Sequence, residues 1–92
     1  MDFDWDEGNR DKNLRHGVHD WEIEEAFEDP RRFMSGAHRI RGEQRRTLFA
    51  RSRTSGQYLR IVYTERRRGP RRLIRPISAM RMERAERARY ER

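Results

Sequence analysis

Three histidines and a crowd of arginines are the residues of this chain that could do chemistry. His16 stands between Arg15 and Gly17 in the stretch NLRHGVHDW (Asn13–Trp21), His19 follows three residues later, and His38 stands apart. Arg53, Arg60, Arg75 and Arg81 fall on or beside segments that read as adjacent strands, interleaved with Tyr58 and Tyr63. Such a surface can neutralise phosphates and stack unpaired bases. One histidine and two or three arginines are also the minimum for cleaving RNA without a metal. The 2′-OH must lose its proton as it attacks the neighbouring phosphate, cations must hold the charge of the phosphorane, and the leaving 5′-oxygen needs an acid. The same residues admit a plainer reading, in which the arginines are a solvated strand face, the tyrosines are core and His16 is a polar residue at a break between two helices.

Metal chemistry has less support. His16 and His19 are three residues apart, but a glycine lies between them and no carboxylate partner stands out by spacing. The chain has no cysteine, which excludes disulfides and thiolate zinc sites. Neither a Gly-rich phosphate loop nor a GxSxG elbow is present. No cofactor is expected.

Charge is unevenly spread. Residues 1–30 hold eleven acids and three bases, whereas residues 31–92 hold five acids and twenty bases, and 22 of the 23 basic residues are arginine. A genome that writes Arg wherever Lys would serve explains the ratio but not the segregation. The basic two-thirds creates a field suited to a polyanion, and the planar guanidinium suits phosphate.

Ninety-two residues make one domain (1–92) with a thin core, since only 33% are hydrophobic and 42% are charged. Nine aromatic residues argue that it folds. The start, MDFDWDE, is acidic and has no apolar run, so no signal peptide or membrane span is expected and a cytoplasmic protein is.

These side chains need elements to hold them. FDWD (Phe3–Asp6) reads as a short edge strand, Glu7–Arg15 as a weak helix ended by Gly17, and Trp21–Glu28 as a second helix capped by Asp20 or His19. Asp29-Pro30 ends that helix. The period then changes to two: strands are predicted at Thr47–Arg53, Tyr58–Thr64 and Leu73–Ala79, with a turn at Thr54–Gly56 and a loop over ERRRGPRR. In the second of these, Leu59, Ile61 and Tyr63 share one face and Tyr58, Arg60 and Val62 the other. Pro76 demands an edge or a bulge. A last helix, Arg81–Tyr90, is expected to put Met82, Ala85 and Arg89 on one face and to pair Glu83 with Arg87. The class is α+β.

The ordered set FDWDE, NLRHGV, EEAFEDP, SRTSG followed by YLRIVYTERR, IRPISA and ERAERARYER resembles the BrnT family of toxins from bacterial type II toxin–antitoxin systems. The resemblance runs from Phe3 to Arg92. It implies a RelE-like fold: N-terminal helices, a curved antiparallel sheet and a C-terminal helix. It also implies a metal-independent ribonuclease that arrests translation. A BrnA-type antitoxin would neutralise it, and operator DNA would be bound only through that complex.

Residue by residue, the family's KHG histidine falls on His16, with Arg15 for the usual Lys. Its GRT motif falls on SRT, matching Arg53 and Thr54. The Tyr and Arg of VYTER fall on Tyr63 and Arg66, and the first Arg of IRIISAR on Arg75. Met80 occupies the second Arg position of that motif, and Arg81 follows it. The implied roles are acid–base chemistry for His16, phosphate and transition-state charge for Arg53 and Arg75, and substrate positioning for Tyr63. Arg15, Thr54, Arg66 and Arg81 would help bind substrate. The Met80 departure keeps a second reading open, a weakened or non-catalytic nucleic-acid- or antitoxin-binding module of the same fold.

Overall fold

Six strands and two α-helices make up the computed structural model, which describes residues 1–92. The strands are β1 (Asp2–Phe3), β2 (Phe33–Met34), β3 (His38–Ile40), β4 (Glu43–Arg51), β5 (Tyr58–Arg68) and β6 (Arg71–Arg81). Helix α1 spans Asp20–Ala26 and α2 spans Arg84–Tyr90, and a 3-10 turn covers Lys12–His16. The sheet order is β1-β6-β5-β4-β2, with β3 also paired to β4. This is α+β, as expected, but the sheet is mixed rather than wholly antiparallel. β1 runs parallel to β6, placing Asp2 beside Leu73 and Phe3 beside Ile74. No hairpin links these two strands, so nothing in the local connection forces them antiparallel.

α1 closes the core from one side. Ile23, Ala26 and Phe27 meet Leu48, Ala50, Leu59, Ile61, Tyr63 and Ala79, with Val18 completing the buried cluster. Alternation along β5 therefore divides its faces as predicted, Leu59, Ile61 and Tyr63 inward. Pro76 lies opposite Tyr63 while Ser78 lies opposite Val62, so Ile77 is the extra residue of a bulge at which the missing N–H does no harm.

The helix expected over Glu7–Arg15 does not form; turns lead into the 3-10 segment instead. The cause is the free edge of β6. Asn9 Nδ2 donates to the carbonyls of Asp4 and Pro76, both at 2.9 Å, and Asn13 Oδ1 accepts from Ala79 N–H at 2.9 Å. Both asparagines are buried, and a regular helix would give up these bonds to an edge that needs partners. Gly17 ends the segment at φ 73, a conformation that favours glycine.

Two further expectations give way. The ERRRGPRR loop is instead the continuation of β5 and β6, leaving only Gly69-Pro70 as the turn. Helix α2 presents Glu86 and Tyr90 inward, with Met82 half-buried just before it, whereas Ala85 and Arg89 are exposed. Because α2 starts at Arg84, Glu83 is its N-cap, and the i,i+4 ion pair is Arg87–Glu91 at 3.5 Å.

Candidate active site

The β4–β5 turn, the end of β6 and the 3-10 turn meet at one end of the sheet. Their meeting is organised by a buried acid. Glu22, on the inner face of α1, is 1% exposed. Its carboxylate accepts from His19 N–H at 2.9 Å, Ser55 Oγ at 2.5 Å and Gln57 Nε2 at 2.6 Å. Burial pushes this carboxyl up, but the three donors outweigh it and the net shift is downward. Gln57 also donates to the Gly17 carbonyl at 3.1 Å and accepts from Arg81 Nε at 2.7 Å. Arg81 Nη2 would lie 3.6 Å from a β-carbon added at Gly17, so its guanidinium sits against the residue that follows His16.

Arg81 opens onto a cleft of about 360 Å³ lined by Arg51, Gly56, Gln57, Tyr58, Arg81, Met82 and Arg87. Three arginines line it and no acid does. The Arg87 and Arg51 guanidiniums lie 3.9 and 4.9 Å from the centre of the Tyr58 ring, a cation–π arrangement. Arg51 Nε donates to the Gly56 carbonyl at 3.2 Å. The cleft is thus a concentration of positive charge in which Arg51 and Arg81 are held by neutral partners and only Arg87 pairs with an acid, Glu91 at 3.5 Å, the electrostatics a phosphodiester needs. A larger groove of about 780 Å³ on the α1 side is lined by Arg31, Arg51 and Arg53 but also by Glu25, Glu28, Asp29 and Glu91, which makes it a poorer place for an anion.

The residues singled out from the sequence fall into two groups. His16 and Arg15 are exposed on the 3-10 turn, and Gly17, the residue that follows, lies against Arg81. Arg53 and Thr54 lie on the same β4–β5 turn, facing α1. Glu25 locks this SRT segment: Thr54 donates to it through both its N–H and its hydroxyl, and Ser52 Oγ donates at 2.7 Å. The Thr54 hydroxyl is the chief cause of a lowered Glu25 pKa. Thr54 is therefore occupied in holding the loop, while Arg53 is left exposed.

Tyr63, Arg66 and Arg75 belong to the far half of the sheet. Arg81 pairs with Leu59, whereas Arg75 pairs with Thr64. That separation of five residues along β5 is ~17 Å, and Arg66 is ~23 Å away, at ~3.3 Å per residue. Along the strands these three therefore lie well away from the Arg81 end of the sheet. Tyr63 is 3% exposed, packs edge-on to Phe27 with ring centres 5.0 Å apart, and points its hydroxyl at Met34 Sδ. Burial raises its pKa. Arg75 pairs with Asp6 at 3.0 Å and Asp4 at 3.4 Å, and Arg66 pairs with Glu43 at 3.0 Å.

Met80 faces Arg60 across the strands, its sulfur 2.6 Å from Nη2, and Arg60 reaches Glu86 of α2 at 3.7 Å. Arg81 and Met80 thus point to opposite faces, and Arg81 is the one beside Gly17. Arg51, Gln57, Arg87 and Glu22 were not anticipated. Arg51 and Tyr58 flank the TSG turn as cross-strand partners, a symmetry visible in the sequence; nothing local marks Arg87. His19 is the N-cap of α1 and His38 lies exposed on β3. No three His, Asp or Glu side chains converge as a metal-holding group. No helix is long and apolar enough to cross a membrane.

A search of curated proteins found no match. The family model described as the ribonuclease toxin BrnT of type II toxin–antitoxin systems matches residues 5–86. That span includes α1, the 3-10 turn, every strand but β1 and the whole of the arginine cleft except the last turn of α2. On that match, the chain belongs to the BrnT family of type II toxin–antitoxin ribonuclease toxins.

Proposed function

We propose that this single-domain protein is a metal-independent, RelE-like endoribonuclease that arrests translation in the cytoplasm. Its active site would be the arginine cleft at the β4–β5 turn. The observation that carries this reading is the cleft itself: Arg51, Arg81 and Arg87 converge without a lining acid, next to the His16–Gly17 turn. In the proposed reaction the 2′-OH attacks the adjacent phosphate, forming a 2′,3′-cyclic phosphate as the bond to the 5′-oxygen breaks. His16 is the acid–base group for the protons, with Arg15 beside it. Arg81 forks the phosphate, and Arg51, Arg87 and Arg53 add positive charge around it. The carboxylates that touch cleft residues, Glu22 at Gln57 and Glu91 at Tyr58 and Arg87, are engaged by protein donors, which fits chemistry run without a metal.

A BrnA-type antitoxin is the proposed partner. It would neutralise the toxin by covering this cleft and carry it to operator DNA.

Purified protein incubated with RNA in EDTA should cleave it to products with 2′,3′-cyclic phosphate ends, and His16→Ala should not. RNA left as intact as in the His16→Ala control would overturn the proposal. The second reading, a weakened binding module, is favoured by Met80 in place of an arginine opposite Arg60. Salt-sensitive RNA binding without turnover, together with a gain of cleavage in Met80→Arg, would support it.

A further inference from the structure

The amide of Gln57 has only one orientation open to it. Its Nε2 faces two acceptors, the Glu22 carboxylate at 2.6 Å and the Gly17 carbonyl at 3.1 Å. A flipped amide would set its oxygen against both, with no proton between them. The oxygen must therefore face outward, where it accepts from Arg81 Nε at 2.7 Å. Glu22 cannot drift, because it is buried and is also held by His19 N–H and Ser55. An exposed arginine ordinarily samples many rotamers. Here Nε is tied down and Nη2 lies against Gly17, while neither Nη group is bonded within the protein, which leaves both free to fork a phosphate.

We infer that Gln57, oriented by the buried carboxylate of Glu22, is the positioning residue that aims Arg81 at the phosphate beside the His16–Gly17 turn. This rests on the ribonuclease reading above. It adds a function for two residues given no part in the chemistry above, and it explains why an acid is buried beneath a basic site. The chain keeps a charge in its interior so that an amide one hydrogen bond away cannot turn over.

The test is a double-mutant cycle on cleavage, joined to a spectroscopic readout. Gln57→Ala should lower kcat by roughly tenfold or more while KM stays within about twofold, because misaiming a catalytic cation costs rate before binding. Combining it with Arg81→Ala should add nothing to the loss from Arg81→Ala alone, and circular dichroism should show a folded protein throughout. In NMR spectra of the free protein, the Arg81 Nε–H resonance should be distinct and slow to exchange, and should broaden in both Gln57→Ala and Glu22→Gln. Additive losses in the cycle, or an Arg81 resonance unchanged by Gln57→Ala, would overturn the inference. If the unmodified protein cleaves no RNA, the ribonuclease reading fails, and the Arg81 resonance alone decides whether Gln57 holds that side chain.

Discussion

At the hairpin end of the sheet, arginines are clasped by acids; at the turn end they are held by a carbonyl, an amide and an aromatic ring. Arg68 meets Asp4, Arg71 meets Asp2, Arg72 meets Glu65, and Arg75 meets both Asp4 and Asp6. Arg51 and Arg81 instead meet the Gly56 carbonyl and the Gln57 amide, and Arg87, though paired with Glu91, lies over Tyr58. The uneven spread of charge along the chain now has a physical meaning. The acids at the very N-terminus return through β1 to pair with the hairpin arginines, whereas the arginines of the cleft are left without a lining acid. One residue type thus serves cohesion in one half of the sheet and electrostatic potential in the other.

Substituting the same residue at both ends gives the largest expected contrast. Arg81→Ala should lower cleavage by roughly 10²–10³-fold, the usual cost of one preorganised transition-state donor, with little change in unfolding midpoint. Arg75→Ala should do the reverse. Its side chain is 15% exposed, and Asp4, 7% exposed, would keep only Arg68 at 3.3 Å. Leaving a nearly buried carboxylate short of a partner should cost about 2–3 kcal/mol, read by urea denaturation, while the folded fraction cleaves normally. A catalytic collapse in folded Arg75→Ala would erase the distinction between the ends.

What the sequence disclosed follows the same division. The three long strands and α1 were legible because apolar residues at periods of two and 3.6 must be buried, and Pro76 announced its bulge, whereas the short β2 and β3 carry no such pattern and were missed. The order of the strands, and hence which arginines share a cleft, depends on pairings between distant segments that no local pattern carries. Tyr63 and Arg75 stand in motifs that resemble those of the family, yet the pairing of β5 with β6 sets them well away from the Arg81 end of the sheet. Asn9 reads only as a weak start to a helix and Asn13 carries no signal, yet their side chains serve a sheet edge some 66 positions away in sequence. Gln57 follows a turn and gives no sign that Glu22 will lie beneath it.

The turn end also depends on α2, which brings Arg87, and α2 is docked by Tyr90. That ring lies 5.6 Å from Tyr58 and 6.4 Å from Phe33, and its hydroxyl donates to Asp29. Burial, then the Asp29 bond and its negative charge, push the Tyr90 pKa up to about 12. A pKa raised on folding contributes stability that is complete below the unfolded value near 10. That contribution falls away as pH rises through 12, over a range worth about 2–3 kcal/mol at ~1.4 kcal/mol per unit. Tyr90→Phe should therefore be less stable by about 1–2 kcal/mol at neutral pH and should lose this alkaline decline. Denaturation midpoints between pH 9 and 12 check both. An undiminished alkaline decline in Tyr90→Phe would assign it to other groups and leave α2 without this latch.

The smallest effect gives the sharpest boundary between the two ends. At the hairpin tip Arg67 lies directly opposite Arg72, and Arg68 opposite Arg71. Like charges facing across a ladder cost stability, and Glu65 relieves Arg72 only at 3.4 Å. Arg67→Glu turns one repulsive pair into an attractive one, so it should stabilise the fold by about 0.2–1 kcal/mol. The gain should shrink at high salt because the tip is exposed. Cleavage should not change, since Arg67 is eight residues along β5 from Leu59, the partner of Arg81. A stabilised protein with unaltered kcat/KM would confine substrate binding to the turn end. A stabilised protein with weaker RNA binding would show that the hairpin arginines reach the substrate despite their acids, and the charge held at the two ends would then act on one ligand.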